Sequence, residues 1–273
     1  MGDPSDLRKK RKLFRRLREK RSRANAMTIL EHLGELRSRL IVSAAAFVVI
    51  SVVAFFFFKP ILAFLLEPLC SLNSDQLGPQ GCNLIVNGPI EPFLVRLKMT
   101  AIAGIVFSAP VWLYQIWAFV TPGLSSKEKK YAVPFVLSSF VLFSVGITFA
   151  YLTLTPGLKF LIGVGQGKLV PFFKADTYLN FIGLMFLGFG VTFELPLLLF
   201  FLGLAGAVTV DQLREHRRAA IVAIVFLAAV VTPSQDPYTL LVLAVPLYLL
   251  YEGTILLLRL VLRKRGRSKA QSG

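Results

Sequence analysis

Apolar positions along this chain gather into long uncharged runs instead of alternating with polar ones. A helix needs about 20 mostly apolar residues to cross a hydrocarbon core of about 30 Å, so runs of 18 or more without charge predict membrane spans. Residues 41–58, 99–120 and 131–158 meet that length, and a fourth run over 177–202 is interrupted only by Glu194. Two weaker runs follow, over 219–231 and over 238–251, the latter ending at Glu252. At 1.5 Å per residue the first of these reaches only about 20 Å. The last pair is therefore predicted to be a short hairpin that thins the bilayer, spans it incompletely or borrows flanking polar residues. Pro110, Pro134, Pro196 and Pro246 lie in or beside the runs and predict local bends or breaks in four helices.

Ahead of the first run, Ile29, Leu30, Leu33, Leu36 and Leu40 recur at helical spacing. Residues 28–40 should form an amphipathic helix that continues into the first span. Within it Glu35 stands four residues before Arg39, the favourable order for an ion pair along one helix. That pairing does not explain why the same face is presented opposite a second acidic residue, Glu128, in the loop "LSSKEKKY".

Composition agrees with the pattern. The 273 residues are 55% hydrophobic with mean hydropathy +0.66, too apolar for a soluble domain of this size. Yet the formal charge is +16, and its placement is one-sided. Of the 31 Lys and Arg, 25 fall in residues 1–39, 121–130, 206–218 and 259–273, which are the segments on one side of the predicted spans. The basic surplus thus reads as topology and not as nucleic-acid binding, with both termini in the cytoplasm. Small residues suited to signal cleavage precede most of the first run, so that span is expected to be retained. The division expected is a basic cytoplasmic extension over 1–27, one membrane domain over 28–259 and a basic tail over 260–273. The basic ends would lean on anionic lipid. Cys70 and Cys82 share the loop on the oxidising side, where a disulfide is permitted and two free thiols are equally allowed.

Most chemistry is missing its parts. "GVGQGKL" at 163–169 resembles a phosphate-binding loop, but it has Ile162 where the first glycine is needed and Leu169 where Ser or Thr should follow the lysine. His32 and His216 lie across the membrane from both cysteines, so neither a metal centre nor a nucleophile triad can be assembled, and no cofactor or metal is expected. What remains is carboxylates. An ionised acid deep in a bilayer is costly and usually faces a bundle interior or a wet cavity. Glu194, in "VTFELPLL", is therefore either a hydrogen-bonded member of its own bundle or a polar contact for a partner helix or a translocating chain. Glu252 reads mainly as structural. A proton-coupled small-solute transporter is the competing class, although no inverted repeat is evident.

Several segments, in one order, resemble the TatC family of twin-arginine protein translocases. These are "HLGELRSRL" before the first span, "FSAPVWLYQIWAFVTPGLSSKE" at the end of the second, "FELP" in the fourth, "TPSQDP" between the last two helices and "PLYLLYE" in the sixth. The resemblance runs from about residue 28 to residue 259. It implies an all-α integral membrane protein with six transmembrane helices in a curved, concave arrangement and short fifth and sixth helices. It further implies a receptor, not an enzyme, for folded cargo bearing twin-arginine signal peptides. Such a receptor self-associates and recruits single-span TatA/TatB-type partners for export driven by the proton-motive force. Carried over by motif, the signal-binding residues are Glu35, Glu128, Arg37, Phe119 and Pro68. Glu194 matches the family's intramembrane glutamate, and Asp236 and Glu252 are grouped with it as polar or partner-contact positions.

Overall fold

A computed structural model of the chain describes residues 29–72, 81–120, 132–164, 172–232 and 236–270. The described residues form ten helices: α1 (Ile29–Phe56), α2 (Phe58–Cys70), α3 (Glu91–Phe107), α4 (Ala109–Val120), α5 (Ala132–Val164), α6 (Ala175–Thr192), α7 (Leu195–Leu204), α8 (Val210–Glu215), α9 (Arg217–Val231) and α10 (Pro237–Ala270). The expected helix over 28–40 and the first span are one continuous α1. The only pairing of extended backbone among the described residues is a parallel bridge between Ile85 and Lys174. It ties the loop before α3 to the start of α6.

Among the described residues, four stretches are long and apolar enough to cross a bilayer: Leu33–Phe56, Val133–Val164, Ala175–Leu204 and Pro237–Arg263. A fifth is the pair α3 and α4, which is bent by 51°. The second span is bent as Pro110 predicts, but it begins earlier than the run at 99–120. It starts at Glu91 and breaks at Ser108, where Pro110 cannot donate the backbone bond that would continue the helix. Pro196 acts in the same way, opening α7 just past the Phe193–Glu194 break. At the two other prolines the helix is not interrupted. Pro134 sits in the first turn of α5, where its missing N–H leaves no bond unmade, and α10 runs through Pro246 uninterrupted. α9 has 15 residues, about 22 Å, in line with a fifth helix too short for the bilayer. The apolar run at 238–251 is the first half of a longer helix, because Glu252 ends the uncharged stretch without ending α10.

Packing follows the order of small residues. α1 lies along α3, and the approach is so close that a Cβ on Gly104 would fall 1.9 Å from Ser51 Oγ. α5 lies along α6 in the same way, with a Cβ on Gly146 reaching to 2.8 Å from the Phe189 carbonyl oxygen. Without a hydrophobic force between helices in lipid, such backbone approach is what van der Waals packing requires. Around these seams sit the fully buried Phe143, Phe189, Leu154, Leu179, Ile182 and Met185, with Leu69 of α2 and Leu243 of α10 against them. α2 is held over the far end of α5 and α6 by Tyr178, whose hydroxyl donates to the Leu65 carbonyl at 2.9 Å, and by Tyr151, whose hydroxyl donates to Glu67 at 2.9 Å. Cys70 and Cys82 are joined by a disulfide, with Cα atoms 5.0 Å apart, which closes the loop between α2 and α3.

Candidate functional site

The side of the molecule where α1 begins brings together three polar side chains from two helices. Glu35 and Arg39 are one turn apart on α1, and Gln115 comes from α4, which packs against it. Arg39 donates to Glu35 Oε1 from Nε at 3.0 Å and from Nη2 at 2.5 Å, while its Nη1 donates to Gln115 Oε1 at 3.1 Å. Both charged side chains are about one-fifth exposed. The second carboxylate oxygen, Glu35 Oε2, is buried and accepts no hydrogen bond from the described residues. Glu35 therefore keeps one oxygen on a guanidinium of its own helix and one unused, in a place where water is scarce. A buried acceptor left unmatched costs about 1–3 kcal/mol, which favours any donor that can reach it.

The other residues singled out in the sequence are distributed around and away from this point. Arg37 is exposed on α1, two residues from Glu35 and so on another face. Phe119 is half-buried on α4, one turn beyond Gln115. Glu128 lies outside the described residues, as do the extension 1–27, most of the "GVGQGKL" segment and half of "TPSQDP". Pro68 is not near Glu35. It is buried in α2 past the far end of α1, about 30 Å along that helix from Glu35, and its carbonyl accepts from Ser71 and Thr155.

Glu194 occupies the break between α6 and α7, half-buried. Its Oε2 accepts from the Ser139 hydroxyl of α5 at 2.5 Å, and its Oε1 is buried without a partner. Both readings of this acid keep an observation: one oxygen is satisfied within the bundle and one is open. Glu252 accepts from Arg217 Nη2 at 2.7 Å and from the Tyr248 hydroxyl at 3.2 Å, which joins α9 to α10. Asp236 is buried and caps α10. Its Oδ1 accepts from the Thr239 N–H at 2.9 Å and its Oδ2 from the Thr239 hydroxyl at 2.5 Å. Asp236 and Glu252 thus have structural employment that Glu35 and Glu194 only half share. Gln115 and Ser139 were not singled out in the sequence. Each is a polar residue in an apolar run, which signals that a partner exists without saying where.

A multi-pass helical membrane protein with broken spans and half-satisfied acids is the class that fold and site define. A family model described as Sec-independent protein translocase protein (TatC) matches residues 31–246, and the chain belongs to this TatC family, whose members are transport components rather than enzymes. It is similar to the TatC protein of Frankia casuarinae, 44% identical over 237 residues, covering 85% of this chain and 65% of that one. It thus spans just under two-thirds of that relative's length. The TatC protein of Aquifex aeolicus is 38% identical over 242 residues, covering 88% of this chain and 98% of that one. A crystal structure of a twin-arginine translocase receptor, TatC, in the detergent DDM superposes with a TM-score of 0.72 at 38% identity, covering 83% of this chain and 99% of that chain.

Proposed function

We propose that the chain serves the twin-arginine translocase as its receptor, with Glu35 taking one arginine of a cargo signal peptide and Glu128 the other. The observation that carries this is the vacant, buried Oε2 of Glu35 beside an oxygen already holding a guanidinium. A guanidinium is a planar fork matched to carboxylate geometry, and charge-assisted hydrogen bonds contribute about 1.5–3 kcal/mol each. Lysine brings the charge without the fork. Arg39 holds Glu35 in a fixed rotamer through Gln115, so an incoming arginine meets a preorganised acceptor. Arg37 and Phe119 lie on the same side and would flank the peptide. Pro68 would shape the far-side cap instead of touching the arginines.

The rest of the assembly follows from the same placement. The basic ends, 1–27 and 260–273, flank a membrane domain over 28–259 and face the cytoplasm of a bacterial-type inner membrane, against anionic lipid. Glu194, with its second oxygen open, is the polar contact for the single helix of a TatA/TatB-type partner, and several receptor copies self-associate. The proton-motive force drives export. Site-specific crosslinking of a twin-arginine reporter to α1 tests the reading. Glu35→Ala combined with Glu128→Ala should abolish both crosslink and export, and unchanged export in that variant would remove Glu35 from the binding site.

A further inference from the structure

In the half of the molecule nearest the disulfide, α1, α2, α3 and α6 enclose a cavity of about 830 Å³ whose lining residues are all apolar, among them Ala54, Phe57, Met99, Ala103 and Phe186. It opens sideways toward the bilayer, since the lining side chain of Phe57 is 59% exposed. A helix with its side chains is about 10–12 Å wide, so this volume would hold only about two turns of one. A slimmer hydrocarbon fits it better.

Two cations stand beside it without carboxylate partners. Lys59 falls between the lining residues Phe57 and Pro60, is exposed, and forms no ion pair. Arg96 is one turn before the lining Met99. Its Nη2 donates to the Phe55 carbonyl at 2.7 Å, its Cζ lies 3.9 Å from the Phe55 ring centroid, and its Nε is buried with no acceptor. Among the described acids of this region, Asp176 is paired with Lys98, while Glu91 accepts from the Asn87 N–H and Glu67 from the Tyr151 hydroxyl, and none of them pairs with Lys59 or Arg96. Charge near a membrane boundary calls for a counter-charge, and among the described residues these two have none.

We propose that the cavity is a phospholipid site, with an acyl chain between α1 and α3 and an anionic headgroup phosphate on Lys59 and Arg96. The guanidinium offers the phosphate its unmatched Nε–H, and the ammonium supplies a second charge on the same oxygens. An anionic lipid is favoured over a zwitterionic one because Lys59 and Arg96 bring two unpaired positive charges to the rim while Lys98 holds Asp176. The site is independent of the signal-binding surface, which lies at the opposite end of α1.

The full chain carrying Phe57→Trp, reconstituted in nanodiscs, reads occupancy through quenching by acyl-brominated lipid, after subtraction of the quenching of Trp112 and Trp117 in the parent. Brominated phosphatidylglycerol diluted into unlabelled phosphatidylcholine should quench the new indole at least threefold more strongly than brominated phosphatidylcholine at the same fraction. Lys59→Gln with Arg96→Gln should erase that difference, and Lys59→Gln alone should halve it if the double variant does not fold. Equal quenching by the two lipids, a preference that survives loss of the cations, or an indole that no brominated chain reaches would each overturn the proposal.

Discussion

Arg39 holds Glu35 by two hydrogen bonds to a single carboxylate oxygen, at 2.5 and 3.0 Å, and leaves the other oxygen buried and unmatched. A bidentate pair along one helix would ordinarily spread over both oxygens. Here the third bond of the guanidinium, to Gln115 on α4, draws it to one side. The pair is about one-fifth exposed and lies along a single helix, so it ties no two elements together. Its effect is on orientation. Glu35→Gln should therefore weaken binding of a twin-arginine peptide about tenfold, measured by titration in nanodiscs, while moving the midpoint of thermal unfolding by no more than a few degrees.

Gln115 should act through Arg39 and not on the peptide directly. Gln115→Leu removes the bond that pulls the guanidinium aside, which frees Arg39 to take both oxygens of Glu35. Peptide affinity should fall severalfold, and Arg39→Gln in the same chain should restore part of it. Two losses that simply multiply would show that Gln115 has no part in positioning Arg39.

Within the membrane, Ser139 is the one described donor to Glu194. Ser139→Ala would remove the one described donor to the acid, at a cost of about 1–3 kcal/mol, whereas Glu194→Gln keeps the bond to Ser139 and should cost less. Denaturation in detergent orders the two variants. The reverse order would mean that the acid's charge, and not its hydrogen bond, holds α5 to the α6–α7 break.

The disulfide and the Gly104 seam give two further expectations about stability. Replacing Cys70 and Cys82 by alanine opens a loop of sequence separation 12 and should cost about 3 kcal/mol, seen as earlier unfolding that reductant no longer affects. Gly104→Ala should destabilise the α1–α3 contact through collision with Ser51 Oγ, and Ser51→Gly in the same chain should recover most of the loss.

Spans were legible wherever a long uncharged run had no competing explanation, as at 131–158 and 177–202. The α1 extension was legible from the spacing of its leucines, although Leu33 and Leu40 turn out to be more than half exposed and so do not pack within this chain. Proline position within a helix decided the rest: Pro110 and Pro196 break helices, while Pro134 falls in a first turn where nothing is lost. Partner identity was beyond reach. Ser139 and Glu194 are 55 residues apart and Arg217 and Glu252 are 35 apart, and a polar residue in an apolar run announces that it needs a partner without naming one. That also explains the length of α10, since Glu252 ends a hydropathy window but is matched by Arg217 and so leaves the helix intact. Pro68 was matched by motif although the first span already separates it from Glu35 in the sequence, and the fold puts it in α2, past the far end of α1.

The central claim, that Glu35 on α1 and Glu128 read paired guanidinium groups, is tested most directly by a binding cycle in nanodiscs. One arm compares a twin-arginine signal peptide with its twin-lysine counterpart on the parent chain, and the other repeats the comparison on Glu35→Gln with Glu128→Gln. If the acids read the fork, exchanging arginine for lysine should weaken binding at least tenfold on the parent and less than twofold on the variant. An equal loss on both would place arginine recognition elsewhere in the protein.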